Sequence, residues 1–466
     1  MIRPRHSVFL LAALASSAMS VQAAQPKYNL LDIYNLALEN DATLAAAKAG
    51  MLAKKELLPQ GRAMLLPTIS ASANTQYQKK TTDVTGGDDQ KSNYNSNGWS
   101  ATLSQPLFNL AGWYGYTQAQ SLTTQAEFDF ANAQQDLILR VSQAYFNVLR
   151  AEDSLITSIA EERAVKQQLD QARERYNVGL IAETDVLQAQ AAYDNARVAR
   201  IEGENQVNVS YENLRTITNA SVTDIGKLKK SMPVIKPTPA IAGEWVESAL
   251  KNNIALKSAR AGIKAAEENI KVKKAGHAPT IEATASYNYN NDNSAEGPLE
   301  PAGSGYKTGR SDGTVVGLTL TIPIFSGGAT QSQVREATYQ MEQTQQNFDK
   351  LLRDTNANTR NLYHTVSSDV DRVEARQQGI ISSESALKAT QSGYEVGTQN
   401  ITDVLDAQQK LYAAQRDYLN ARYDFIINTL QLKQYAGTLS PEDLKQLNSW
   451  ITFNKAESSP SIPVTP

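Results

Sequence analysis

The chain of 466 residues has no cysteine and only three histidines. Without cysteine there are no disulfides, no thiolate metal sites, no cysteine nucleophiles and no acceptor for a lipid at a mature N-terminus. His6 falls in a leader, and His277 and His364 stand far apart, so a histidine-rich metal cluster is excluded as well. Although 41% of the residues are hydrophobic, no stretch reaches the roughly 18 to 20 consecutive apolar residues that a bilayer-spanning helix requires. An α-helical transporter is therefore ruled out. Catalytic signatures are equally scarce. No G-x-S-x-G occurs, and Gly303, Gly305 and Gly309 sit in a polar loop with no helix and no Lys-Ser/Thr pair behind them to hold a phosphate. No enzyme activity, no resident metal and no cofactor are expected.

What is present begins with Arg3 and Arg5, an apolar stretch from Val8 to Leu14, and small residues ending in Val21-Gln22-Ala23. That is the layout of a secretory signal peptide over residues 1–23, cut after Ala23 or alternatively after Ser20. Taking Arg3 and Arg5 from a chain with 45 basic and 48 acidic residues leaves an exported, mildly acidic protein. Nothing in that balance suits nucleic acid as a partner.

The remainder is written twice. At an offset of 218, Tyr176 to Gln190 lies on Tyr394 to Gln408 with nine of fifteen positions identical. At 212, Ala37-Leu38-Glu39-Asn40 lies on Ala249-Leu250-Lys251-Asn252, and Pro67-Thr68-Ile69 on Pro279-Thr280-Ile281. At 217, Gln105-Pro106-Leu107-Phe108 lies on Ile322-Pro323-Ile324-Phe325. Each half is one copy of a single supersecondary unit. The expected organisation is a first repeat over 24–220, a linker over 221–243, a second repeat over 244–436, and a final segment with a disordered tail over 437–466.

Each unit alternates very long helices with strands. Residues 116 to 178 contain neither Gly nor Pro, and 329 to 392 is broken only by Gly379, which predicts helices of about 95 Å at ~1.5 Å per residue. Val404, Ala407, Leu411, Ala414, Tyr418, Ala421, Phe425, Asn428, Leu432 and Tyr435 follow a 3-4 alternation, a coiled-coil seam interrupted only by Asn428. Strand character lies at Thr68 to Tyr77, Trp99 to Ser104, Thr280 to Tyr289 and Val315 to Ile322. Every one is apolar on one face and polar on the other: Ile69, Ala71 and Ala73 oppose Ser70, Ser72 and Asn74, and Val316, Leu318 and Leu320 oppose Gly317, Thr319 and Thr321. One such strand would equally suit the core face of a soluble sandwich. Four of them between long helices in an exported chain fit an outer-membrane barrel. Gln78 to Gly98 and Asn290 to Gly313 are expected as hairpin tips. Four strands are too few to close a barrel, and an open edge cannot sit in lipid, so oligomerisation is required.

These residues resemble the TolC-type outer-membrane efflux protein family. The resemblance extends to about Trp450 and rests most on Gly393-Tyr394-Glu395-Val396-Gly397-Thr398, on Ile401-Thr402-Asp403-Val404-Leu405-Asp406-Ala407, and on Pro323-Ile324-Phe325-Ser326-Gly327-Gly328. It implies an α+β membrane protein: a homotrimer whose twelve strands, four per chain, form one β-barrel in outer-membrane lipid and whose helices continue as a hollow barrel across the periplasm. It implies that 221–243 and the segment from 437 form an equatorial belt. It also implies a passive exit duct for small molecules or proteins, engaged by a periplasmic adaptor and an inner-membrane pump. Lacking an N-terminal cysteine, this chain falls in the non-lipidated branch. A secreted coiled-coil adhesin or a periplasmic adaptor is the alternative.

For Asp403, a helix cap beside Thr402 is a sufficient role, because Asp185 beside Thr184 holds the same place in the first half. Asp406 has Gln188 as its counterpart, so no need common to both repeats explains its carboxylate. The resemblance implies that Asp403 and Asp406 line the periplasmic constriction as two stacked rings, a possible place for cation block. It further implies a gate lock in which Tyr394 bonds Asp185, with position 399 reaching Thr184 and Asp185. A basic residue is usual at that position. Here it is Gln399, and Arg173 or Arg175 could supply the missing charge.

Overall fold

A computed structural model describes residues 27–82, 85, 86, 90–294, 309–454, 457 and 458. The expected signal peptide (1–23), the outermost residues of both strand-connecting loops and the tail beyond Ser458 lie outside the described residues.

In the first half α1 (Leu30–Asn40), α2 (Ala42–Lys55) and α3 (Leu57–Ala63) lead into β1 (Thr68–Thr82), β2 (Gln90–Phe108), α4 (Leu110–Asn177) and α5 (Glu183–Thr218), followed by a short β3 (Lys227–Leu228). The order then recurs as α6 (Ala242–Asn252), α7 (Ile254–Lys274), β4 (Thr280–Ser294), β5 (Gly309–Thr321), α8 (Ala329–Glu395) and α9 (Ile401–Tyr435), ending in α10 (Pro441–Asn448) and β6 (Ile451–Thr452). Uninterrupted by proline, α4 and α8 run for 68 and 67 residues, roughly 100 Å each. Gly379 does not break α8. A glycine in a helix interior costs only about 1 kcal/mol.

Helix α5 folds back along α4, and α9 along α8. The buried face of α9 is wider than the seam read from the sequence. Val404, Leu411, Phe425 and Leu432 are buried as expected, but Leu405, Gln408, Leu419, Ile426 and Leu430 add a second stripe. The reason is that α9 packs against α4 as well as α8. Asn428, which interrupts the seam, donates from Nδ2 to Asp369 Oδ2 at 2.8 Å.

The larger apolar core lies midway along the helices. Leu30 and Ile33 of α1, Tyr145 and Phe146 of α4, Leu214 of α5 and Tyr423 and Phe425 of α9 meet there, with Leu228 and Leu444 from the linker and α10. Polar groups are woven into it. The fully buried Arg422 donates to Lys229 O at 2.8 Å, and β3 pairs antiparallel with β6, which fastens the linker to the C-terminal segment. The Tyr423 hydroxyl donates to Asp153 Oδ2 at 2.6 Å. Burial pushes the Asp153 carboxyl up to about 6, against the opposing pull of that hydrogen bond and of Lys227.

At one end of the helices the strands form a single antiparallel sheet in the order β1-β2-β4-β5, so the two halves meet along the β2–β4 ladder. Directly opposite residues share a face of a sheet. Ile69 faces Leu103, Leu103 faces Ala285 and Ala285 faces Val316, while Ser70, Thr102, Ser286 and Val315 form the adjoining row on the other face. The strands continue beyond the expected ends. β1 reaches Thr82 and β2 begins at Gln90, so most of the segment expected as the first hairpin tip is ladder, and β4 and β5 extend to Ser294 and back to Gly309, taking in both ends of the second. A polar side chain does not stop a strand whose backbone groups have partners. β5 ends at Thr321, one residue before the expected Ile322.

Candidate functional site: the sheet face and the helix hairpin ends

The residues singled out from the sequence fall in two regions, one at each end of the long helices. At the sheet, the apolar face is bare. Ile69 is 80% exposed, Val316 78% and Leu318 69%, although side chains of this kind ordinarily seek burial. Toward the loop end the face becomes aromatic: Trp99 lies 5.2 Å from Tyr287 and 6.3 Å from Tyr289 between ring centroids. Toward the helices it ends in the exposed Phe108, Trp113, Ile324 and Phe325. The opposite face is polar and hydrogen-bonded within itself. The hydroxyls of Ser72 and Ser100 are 2.9 Å apart, and Ser104 bonds the Glu282 carboxylate. β1 and β5 each pair on one side only, leaving two open edges.

At the far end, α4 turns into α5 and α8 into α9 by the same device. Gly179 (φ 76°) and Gly397 (φ 80°) hold the left-handed conformation that follows a helix C-terminus, with Leu180 N–H bonding Arg175 O and Thr398 N–H bonding Gly393 O. The apolar side chains beside these glycines point outward: Val178 is 70% exposed, Leu180 73% and Val396 76%. Behind them Val165, Leu169, Ala172, Ala189, Tyr394, Ile401 and Val404 form a small separate core that joins the two hairpins.

Asp403 is the third residue of α9. Its carboxylate accepts from Asn400 N–H at 3.1 Å while Asn400 Oδ1 accepts from Asp403 N–H at 2.9 Å, a reciprocal capping box. The cap role weighed for Asp403 is therefore occupied, and the cap partner is Asn400. Asp406 is exposed one turn further on and makes no hydrogen bond or ion pair among the described residues. No three His, Asp or Glu side chains among the described residues converge on a point that could hold a metal ion.

The link that the resemblance implies between Tyr394 and Asp185 is not made within this chain. The Tyr394 hydroxyl is buried with no hydrogen-bond partner, and the ring is instead covered by the Arg175 guanidinium, 4.7 Å from its centroid. Cation and ring attract at that distance. Gln399 does not reach Thr184 or Asp185 either. It folds over its own turn, its Cγ so near Gly393 that a β-carbon there would lie 2.7 Å away. Close to the turns, a hydrogen bond not among the sequence-based expectations joins the hairpins, from Thr402 Oγ1 to Gln188 Oε1 at 2.6 Å. Arg173, named as a substitute cation, donates to Gln190 at 2.6 Å within its own hairpin. The duplication held a clue: Thr402 and Gln188 are the counterparts of Thr184 and Asp406.

A family model described as "Outer membrane efflux protein" matches the chain over residues 33–220 and 245–438. Outer membrane protein TolC of Vibrio cholerae is 34% identical over 448 residues, covering 96% of this chain and 98% of its own. Proteases secretion protein PrtF of Dickeya chrysanthemi is 29% identical over 462 residues, with 96% and 95% covered. Among solved structures, the CmeC outer membrane channel of Campylobacter jejuni has the same fold, with a TM-score of 0.73 at 16% identity over 96% of this chain and 98% of that one.

Proposed function

The chain belongs to the outer membrane efflux protein family and is an outer-membrane export channel, and from that premise we propose that three copies close one twelve-stranded barrel above a hollow helical duct. The observation that carries this reading is the continuous apolar face running across all four strands of a sheet with two open edges. Such a face needs an apolar surface against it, which lipid supplies to an outer-membrane chain, and in lipid such edges must be paired with further strands. Twelve strands lie well above the roughly eight at which a barrel interior is filled by its own side chains, so the polar inner face encloses a path for cargo.

The duct supplies no energy. Cargo is delivered by an inner-membrane pump through a periplasmic adaptor, and the exposed Val178, Leu180 and Val396 at the hairpin ends suit the adaptor's docking. A protease-secretion relative and a family model described as an efflux protein are compatible with either proteins or small molecules as cargo. In the trimer, Asp406 supplies a ring of three carboxylates at the constriction, with Asp403 beside it in its cap, so a multivalent cation bound there would relieve their repulsion and obstruct the pore. The gate is held between hairpins by Thr402 with Gln188 and by Arg175 over Tyr394, while Gln399, Thr184 and Asp185 remain available for contacts between copies.

Native mass measurement in mild detergent tests the assembly, with a trimer expected and a monomer refuting it. In planar bilayers, conductance should fall on adding a divalent or trivalent cation to the periplasmic side. An Asp406→Asn variant that retained full block would place the acids elsewhere.

A further inference from the structure

The last turns of the helices that lead into the strands are unusually basic. α2 ends with Lys54 and Lys55, α3 with Arg62 and α7 with Lys271, Lys273 and Lys274. The long helices α4, α5, α8 and α9 have one basic residue or none in the same place. A cation complements the negative end of any helix, so the helix dipole alone would not favour this end of the molecule over the other.

Two of these cations are the same residue of the duplicated unit. Arg62 stands six positions before Thr68, the start of β1, and Lys274 six before Thr280, the start of β4. Both are exposed, and neither has a hydrogen bond or ion pair among the described residues, whereas Lys55 and Lys271 are engaged by Glu127 and Glu268. The acids of the same segments, Glu56, Glu267 and Glu268, lie one to two helical turns further from the sheet.

Their height is set by packing. A β-carbon on Gly61 would stand 3.1 Å from Tyr116 Cα, so α3 rests on α4 about 9 Å beyond the helix start, at ~1.5 Å per residue. A β-carbon on Gly276, just past Lys274, would stand 3.0 Å from Thr330 in the first turn of α8. Arg62 and Lys274 thus flank the tops of the two long helices, directly beneath the exposed Met64, Leu66, Ile324 and Phe325. A headgroup layer of roughly 5 to 8 Å borders the hydrocarbon, and this is where it would meet the helices. Long basic side chains there lay their stems on apolar surface and keep their charge in the polar layer.

We propose that Arg62 and Lys274 bind the phosphate of anionic phospholipid in the periplasm-facing leaflet, forming a ring of six cations in the trimer. The proposal rests on the barrel reading above, and it adds a lipid preference that the apolar face does not specify. Guanidinium and ammonium donors suit phosphate oxygens, and each juxtamembrane cation strengthens attraction to an anionic surface roughly fivefold.

The test uses the full trimer, reconstituted in phosphatidylcholine bilayers with or without phosphatidylglycerol and then analysed by native mass spectrometry for retained lipid. The Arg62→Gln, Lys274→Gln double variant should retain phosphatidylglycerol on the order of tenfold or more less tightly and phosphatidylcholine as before. Removing equal charge from the exposed, sheet-distant Lys166 and Lys388 should change neither, and Arg62→Lys with Lys274→Arg should preserve retention. Unchanged phosphatidylglycerol retention in the double variant, or an equal fall in the distant control, overturns the proposal. Failure of the unaltered protein to enter phosphatidylcholine bilayers would instead overturn the barrel reading.

Discussion

Placing one arginine on either face of the same strand tests which face meets lipid. Along β2, Phe108 and Trp99 mark the two aromatic margins of the apolar face, and Leu103 lies about halfway between them. Nine residues at ~3.3 Å make about 30 Å along the strand. A tilt of about 40° reduces this to roughly 23 Å of height, close to the ~25 Å apolar band of outer-membrane barrels. Ala285 pairs with Leu103 on one side and with Val316 on the other, so it occupies the middle of that band. An arginine at the midplane costs about 2 to 4 kcal/mol per chain, hence roughly 6 to 12 kcal/mol for three chains, which is comparable to the whole stability of a typical domain. Ala285→Arg should therefore abolish or sharply reduce the membrane-extracted trimer on a semi-native gel. Ser286→Arg, one residue along β4 and on the polar face, should assemble nearly as the parent does. Equal tolerance of the two changes, or the reverse order, would refute the assignment of faces.

The hairpin contacts make three further predictions. Tyr394→Phe removes a buried hydroxyl that has no partner, so thermal stability should hold or rise and closed times in single-channel recordings should not shorten; a marked opening would mean that a neighbouring copy bonds that hydroxyl. Arg175→Ala should open the channel more readily than Arg173→Ala, by the roughly 0.5 to 2 kcal/mol of a cation over a ring, and the opposite order would remove Arg175 from the gate. Thr402→Val should lose about 0.5 to 1.5 kcal/mol and shorten closed times; recordings identical to the parent's would show that the Gln188 bond does not hold the gate. In the central core, the Asp153 carboxyl is raised to about 6 from an unfolded value near 3.9, so its stabilising contribution is full below about pH 4 and is lost as pH rises through 6. Asp153→Asn should remove roughly 3 kcal/mol of that dependence in thermal melts between pH 4 and 7, and an unchanged profile would place the titration elsewhere.

The strands and long helices were legible because their signals are periodic and local. The period-2 alternation of Ile69, Ala71 and Ala73 identifies a face whatever the strand pairs with, and the observed register places those residues in the same rows as Leu103, Ala101 and Trp99. Strand length was less legible. Runs such as Gln78 to Thr82 have the composition of loops, and only an available partner strand makes them ladder. The hairpin contacts were least legible of all. Thr402 and Gln188 are 214 positions apart, and whether they touch depends on the rotation of α5 against α9. The placement of Gln399 over its own turn has a similar cause: the glycine at 393 leaves room for the side chain to fold back, a packing detail that residue identity alone does not register.

The sheet order also bears on how the chain reaches its native state. β1 and β2 are hairpin neighbours, Thr82 lying opposite Gln90, and can zip as soon as both have been made. The β2–β4 ladder instead joins Tyr94 to Ser294 and Leu103 to Ala285, across a span that holds all of α4 and α5. Contacts of such separation carry the largest loop-closure cost and form slowly unless other structure brings their ends together. Here α7 resting on α4 brings β4 alongside β2. The helical frame is therefore expected to fold first and present two preformed hairpins side by side. On the proposed barrel reading, the sheet would be completed afterwards, when its open edges meet those of other copies.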